Sequence, residues 1–512
     1  MMRFKAAVLA AMSALAIAVP TARAEVRLAA LFSDGMVLQQ ERPVRIWGTA
    51  EAGEKVSVSV AGAKGEATAD AQGRWSVEVG PLKAGGPHEL TVAGTNTLTV
   101  KDVLVGEVWL CSGQSNMEMR VGSGVFGRGG SPESEKQIAE ANYPQLRMFT
   151  VQRAVAGEPA ADVKGQWSVC QGREVLKWSA AGYFFGRELH QKLNVPVGLI
   201  VSSVGGSRID AWMSQESLLA AAPTAKAGLE SWAAKVAAFD EAAFQKELAE
   251  WQVAADKAKA EGGRAPRKPE RITESMRRLC GLYNGMIRPL VPYGIRGVIW
   301  YQGESDAGSA AQYRLTFPGM IHAWRNEWGQ GEFPFVYVQI ANYRARYEEP
   351  TESAWAELRN VQRLTLSAVP KTAMAVAIDI GEAEDIHPKN KLDVGRRLAL
   401  GALAVAYDQK LVYSGPLVAG AKAEGGAVRL SFDSVGGGLV ASGDALKGFA
   451  VAGADGKYIW AQAKIDGATV VVSSDAVAEP VSVRYAWADN PECNLYNAEG
   501  LPASPFQVAV EK

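Results

Sequence analysis

The chain has 512 residues, of which 48% are hydrophobic and 21% charged, and a formal net charge of −1. A chain of this length and apolar content buries large cores and divides into two or three domains, which excludes a disulfide-framed miniprotein. The near-neutral charge offers no surface for a polyanion, so no nucleic-acid partner is expected.

Residues 1–24 combine Arg3 and Lys5 with an apolar stretch over 6–19 and then Ala22-Arg23-Ala24. This is the pattern of a cleavable signal peptide, cut after Ala24, and it implies a secreted or periplasmic product. Its apolar core is shorter than the roughly 20 residues of a membrane span, and no later window is long and apolar enough to be one. Loss of Arg3, Lys5 and Arg23 leaves 51 Lys and Arg against 55 Asp and Glu, a net charge of −4.

From Val26 to about Val100 the pattern alternates with period two over 55–60, 74–79 and 89–92, between clusters of Gly, Pro and Asn. This predicts an N-terminal β-rich domain over 25–103. From 104 to 407 short apolar runs, at 107–111, 197–201, 295–301, 333–340 and 373–380, alternate with helical patterns over 180–193, 312–328 and 355–366. Buried strands alternating with amphipathic helices predict an α/β domain, a parallel sheet with helices on both faces. Residues 215–272 form an Ala-, Glu- and Lys-rich insertion read as one or two exposed helices, a hairpin beside the active site, interrupted at 262–269. After about Asp408 short β patterns return over 428–432, 458–463, 469–472 and 481–485, which predicts a C-terminal β-rich, sandwich-like domain or subdomain over 408–512. Cys111, Cys170, Cys280 and Cys493 lack C-x-x-C spacing, which argues against a zinc or redox site and leaves open whether they are bridged or free.

Open parallel sheets gather ligands at the carboxyl ends of their strands, so the residues after each run belong together. The first run delivers Gly113-Gln114-Ser115-Asn116, the second Gly205-Gly206-Ser207-Arg208, and the third Gln302-Gly303-Glu304-Ser305-Asp306. The fourth gives Asn342 and the fifth Glu382, Glu384, Asp385 and His387. A serine nucleophile needs a general base. Of the four histidines, His88 falls in a turn of the first domain, His190 lies off the apolar face of its helix, and His322 lies opposite an apolar stripe; His387 alone falls on the rim. Asp385, two residues before it, is placed to orient the imidazole, with Glu384 and Asp379 as competitors. The Ser115 N–H, the Gly206 N–H and the Gln302 side-chain amide are candidate oxyanion donors, and the set fits acyl transfer without a cofactor.

The stretches VGEVWLCSGQSNMEM, VGLIVSSVGGSRIDAWM, GVIWYQGESDA and DIHPKNKLDVGRRLAL resemble the sialate O-acetylesterase family, a branch of the SGNH-type serine esterases. The similarity extends to LFSDGMVLQQERPVRIWG near the start and VRYAWADNPECNLYNAEGLPASPF near the end. The resemblance implies a flavodoxin-like catalytic domain, no metal, and removal of O-acetyl groups from a sugar. It assigns Ser115 as nucleophile, His387 as base, and Gly206 with Gln302 as oxyanion donors. Two positions depart from the wider superfamily: its oxyanion asparagine is replaced by Gln302, and its usual acid, three before the histidine, falls on Glu384. The G-x-S-x-G elbow of α/β-hydrolases is absent, since Met117 follows Asn116.

The expected partner is therefore an acetylated carbohydrate, sialic acid first and acetylated xylan second. Gln114, Asn116, Arg208 and Glu304 are candidate substrate contacts, with Arg208 suited either to a sugar carboxylate or to bracing Asp210 or Glu304. Two rival readings follow from the same rim: a glycoside hydrolase using Glu304 or Asp306 with Asp385, and a sugar-binding protein with an idle serine.

Overall fold

The computed structural model describes residues 25–124 and 132–511, so the expected signal peptide lies outside the described residues. The architecture is mixed α/β: a central mixed sheet, helices against it, and further β-rich sheets after it. Its organising strand is β1, Thr97–Gly113, 17 residues long. The first half of β1 pairs antiparallel with Gly85–Ala93 of the N-terminal β region, and the second half lies between two parallel neighbours. The expected domain boundary at 103/104 thus falls inside one strand. Asp102, at φ +55°, marks the change of sheet, and Arg147 pairs with its carboxylate at 2.6 Å. His88 lies in the strand Gly85–Ala93 and not in a turn.

The remaining strands of the catalytic half are β2 (Asn142–Val151), β3 (Gly165–Gln171), β4 (Val197–Ser203), β5 (Gly297–Tyr301), β6 (Phe335–Gln339) and β7 (Thr372–Val376). Their order is β3-β2-β4-β1-β5-β6-β7, parallel throughout except for the antiparallel edge strand β3. Because successive side chains point to opposite faces, Val108 and Leu110 enter one core while Trp109 and Cys111 enter the other. The helices are α1 (Ala180–Leu193), α2 (Ala310–Trp328), α3 (Ala354–Ala368) and α4 (Lys391–Tyr407). Phe184, Phe185, Leu398 and Ala402 of α1 and α4 join the Trp109 core; Phe317, Trp324 and Leu358 of α2 and α3 join the other. Each fully buried large apolar side chain here contributes about 1.5–3 kcal/mol, which is why the strand runs read as almost continuously apolar. Serine caps start two of these helices: Ser179 accepts from the Gly182 N–H at 3.1 Å, and Ser353 from the Ala356 N–H at 3.0 Å.

The insertion forms three helices, Gln215–Ala221, Ala225–Ala237 and Glu241–Ala260, one more than expected, because Asp240 caps a fresh start by accepting from the Ala242 and Ala243 N–H groups at 2.8 and 3.1 Å. After Asp408 come two four-stranded sheets whose residues Leu430, Val472, Phe449 and Phe506 share one core. The fully buried Arg359 of α3 ties this region to the catalytic half: it donates to the Ile340 and Ala341 carbonyls at 2.9 and 2.7 Å and to the Ala488 and Asp489 carbonyls at 2.7 and 2.9 Å. Burial holds its guanidinium down, to about 9. All four cysteines are free thiols. Among the described residues no helix is long and apolar enough to cross a membrane, and no group of three or more His, Cys, Asp or Glu is arranged to hold a metal ion.

Candidate active site

At the carboxyl end of β1 the chain must turn against β5. Gly113 does so at φ +135°, where a Cβ would stand 2.2 Å from the Tyr301 carbonyl oxygen, so only glycine fits. Gln114 then donates its N–H to that same carbonyl at 2.9 Å, and Ser115 opens a single helical turn, Ser115–Glu118. Ser115 Oγ lies 2.9 Å from His387 Nε2, although the two are 272 positions apart. Asp385 Oδ1 accepts from the His387 backbone N–H at 2.9 Å and lies 3.3 Å from ring Nδ1. The competing acids are elsewhere: Asp379 is clamped by both Arg397 nitrogens at 2.7 and 2.8 Å, and Glu384 is exposed with no hydrogen bond among the described residues.

The Gly205-Gly206 turn closes over the serine. A Cβ on Gly205 would meet Ser115 Cβ at 3.2 Å, and the Gly205 N–H is already taken by the Glu118 carboxylate at 2.7 Å. Gly206, at φ +73°, is exposed, and neither its N–H nor that of Ser115 has an acceptor among the described residues. Both amides are therefore open to a ligand oxygen. Gln302 is different from expectation. Its amide nitrogen is fully buried and donates to Asp306 Oδ2 at 2.5 Å and the Ser207 carbonyl at 3.3 Å, so it supports the second loop and has no donor left for an oxyanion.

Three of the four expected substrate contacts are also structural. Gln114 is 3% exposed and its side-chain oxygen accepts from the Gly303 and Ser305 N–H groups at 3.3 and 3.2 Å. Asn116, buried, donates to Glu304 Oε1 at 2.6 Å and to the Ile386 carbonyl at 3.1 Å, joining the serine, third and fifth loops; Glu304 is the other end of that contact. Arg208 stands 3.4 Å from Asp210 and 3.1 Å from Asp306, with its side chain 39% exposed. Glu304 and Asp306 are thus both held by protein donors, not poised against Asp385.

A family model for carbohydrate esterase, sialic acid-specific acetylesterase, matches residues 105–238 and 268–404. The chain belongs to this family. The mouse (Mus musculus) sialate O-acetylesterase is 31% identical over 94% of both chains, and the human (Homo sapiens) one is 30% identical over 94% of this chain and 92% of its own. Among solved structures, a carbohydrate acetylesterase from Xanthomonas citri is similar with a TM-score of 0.79 and 39% identity, covering 94% of this chain and 99% of that one. The chain is accordingly a carboxylic ester hydrolase acting on carbohydrate O-acetyl groups, which sets aside the glycosidase and non-catalytic readings.

The esterase also uses groups that spacing alone does not reveal. Lys391, the first residue of α4, is fully buried; its ammonium donates to Asn116 Oδ1 at 2.8 Å and to the Pro388 carbonyl, and lies 5.7 Å from the centre of the Tyr301 ring. Burial pushes the Lys391 ammonium down to about 8, against the pull of Glu304, Asp385 and Glu382. Burial likewise raises the Glu304 carboxyl, opposed by Asn116, Lys391 and His387.

Asp306, 2% exposed, is pushed up to about 6 by burial, against the Arg208 charge and its bonds from the Ile209 N–H and Gln302. A carboxyl whose folded value is raised contributes stability that is complete below its ordinary 3.8 and is lost as pH rises through 6. The stability of the esterase relative to its Asp306→Asn variant is therefore expected to fall by up to about 3 kcal/mol between pH 4 and pH 7. Denaturant unfolding of both proteins across that range checks this, and a constant difference refutes it.

Proposed function

We propose that the esterase works through an acetyl-enzyme on Ser115. With Nδ1–H directed at Asp385, His387 Nε2 takes the serine proton as Oγ attacks the acetyl carbonyl. The Ser115 and Gly206 N–H groups receive the oxygen that becomes negative. Collapse breaks the ester C–O bond, His387 gives the proton to the departing sugar oxygen, which leaves as a hydroxyl, and a water activated by the same imidazole releases acetate. The observation that carries this reading is the 2.9 Å contact between Ser115 Oγ and His387 Nε2, with Asp385 behind the ring. In the same reading β4-β1-β5-β6-β7 form an SGNH, flavodoxin-like core, and the leader over 1–24 delivers the enzyme outside the cytoplasm.

Sialic acid is the substrate that the names of the mammalian relatives suggest. One observation favours a second reading, a neutral acetylated glycan such as acetylxylan: Arg208, the cation suited to a sialic acid carboxylate, is already matched by Asp210 and Asp306. Acetate release from O-acetylated sialic acid and from acetylxylan, measured side by side, decides the substrate. The mechanism is tested by a phosphonylating serine reagent, which is expected to abolish hydrolysis of 4-nitrophenyl acetate and to label Ser115; full inhibition with the label elsewhere overturns it.

A further inference from the structure

The loop that leaves β6 joins the catalytic rim to the C-terminal β region. Tyr343 bridges Glu382, and the Arg344 N–H donates to the Ala383 carbonyl at 3.0 Å, so this loop is bonded to the segment that leads into Asp385 and His387. On its other side the Tyr343 N–H donates to the Asp489 carbonyl at 3.1 Å, and Asn342 bonds Asn490 at 2.8 Å. Its continuation, 346–349, forms one wall of a cleft of about 490 Å³ whose other wall comes from the C-terminal sheets, including Phe449, Trp460 and Trp487.

The lining of this cleft is rich in aromatic rings. Tyr347 is 53% exposed and Trp460 44%, and the Trp460 indole N–H is bonded to the Glu348 carbonyl at 2.7 Å, so the ring is held in one orientation with much of its area in solvent. Trp487 forms part of the lining with its plane fixed by the Arg484 guanidinium, 4.7 Å from the ring centre, and its indole N–H is buried without a partner among the described residues. Lys447 and Glu492 pair at the edge at 2.6 Å, and with Arg346, Glu348 and Glu349 the lining carries two cations against three carboxylates, so the cleft offers hydrogen-bonding groups and no surplus positive charge for an anionic ligand.

A ligand for such a surface has flat C–H faces for the negative faces of aromatic rings, hydroxyls around its edge, and no charge. That describes a pyranose ring. We propose that this cleft is a second sugar-binding site, which holds neutral pyranose units of the same glycan whose acetyl ester lies at Ser115, and hence that the natural substrate is an oligo- or polysaccharide and not a free acetylated monosaccharide. The inference rests on the acetyl-enzyme reading for its link to Ser115, while sugar binding by the cleft is testable without it.

Two measurements on the full chain test it. Tryptophan fluorescence of the Ser115→Ala protein is expected to change saturably on titration with xylohexaose or cellohexaose, and the further change Trp460→Ala is expected to weaken that binding about tenfold, the scale of one lost stacked ring. In the otherwise unaltered enzyme, Trp460→Ala and Tyr347→Ala are each expected to lower the ratio of kcat/KM on acetylxylan to that on 4-nitrophenyl acetate, also about tenfold and mainly through KM. No saturable binding of either hexaose, or binding and ratio both indifferent to Trp460→Ala, overturns the second site while leaving the esterase reading intact. Hexaose binding that depends on Trp460, with aryl acetate hydrolysis surviving Ser115→Ala, overturns the catalytic reading instead. Circular dichroism controls for folding, and since Trp460 is a surface side chain its loss leaves no core cavity.

Discussion

The Ser115→Ala variant is expected to lose acetate release by a factor of about 10³–10⁶ in kcat, with substrate binding little changed. The size of the effect follows from what the hydroxyl does. In the proposed mechanism it is the atom that forms the bond to the acetyl carbon, and among the described residues no other hydroxyl or thiol is hydrogen-bonded to His387 Nε2. His387→Ala is expected to cost nearly as much, and the double variant no more than either single one, because nucleophile and base act as a unit. Residual activity would come from the two free amides, which still stabilise an oxyanion formed by attack of water. Asp385 is expected to matter less than either: its side chain is 47% exposed and its contact with Nδ1 is 3.3 Å, so water can take its place in Asp385→Ala. Initial rates on 4-nitrophenyl acetate and on an acetylated sugar check the order. Wild-type rates in either Ser115→Ala or His387→Ala would remove the mechanism.

The parts of this site that were legible in the sequence are those with a period or a scarcity behind them. Apolar runs at 197–201 and 295–301 have few interpretations other than buried strands, and four histidines are few enough to eliminate by position. Side-chain direction had no such signal. Asp379 and Asp385 both precede His387 by short distances, and what separates them is Arg397, which folds back from α4 to clamp Asp379. Gln302 follows its strand onto the rim as expected, yet Asp306, four residues later, captures its amide. Lys389 and Lys391 look alike in the stretch HPKNK, but Lys389 pairs with Glu382 near the surface while Lys391 is fully buried. The expected boundary at 103/104 follows the break that Lys101-Asp102 makes in the apolar pattern, and β1 runs through it; the charge there is matched by Arg147 from β2, a contact with no local trace. Strands β2 and β3, absent from the expected runs, are the antiparallel edge strand β3 and its neighbour β2, where Pro144 and polar neighbours blur the apolar pattern.

Lys391→Met is expected to lower kcat by about 10²-fold while leaving KM near its original value, although Lys391 touches no substrate. The ammonium bonds the Pro388 carbonyl directly and, through Asn116, the Ile386 carbonyl. These are the carbonyls on either side of His387, and Asn116 is the neighbour of Ser115. One buried lysine therefore fixes the imidazole against the hydroxyl from both flanks, and a displacement of about 1 Å in such a pair is enough for a 10²-fold loss. Methionine keeps the length of the side chain but leaves Asn116 Oδ1 and the Pro388 carbonyl without their donor. A second readout separates this positioning role from general destabilisation. Because the folded value of Lys391 is depressed to about 8 from 10.5, its contribution to stability is complete above 10.5 and is lost as pH falls through 8. The stability of the wild type relative to Lys391→Met is thus expected to rise by up to about 3 kcal/mol from pH 8 to 10.5. A variant that keeps the wild-type kcat would show that the ammonium does not hold the pair together, and a stability difference that is flat over that range would show that burial does not depress it.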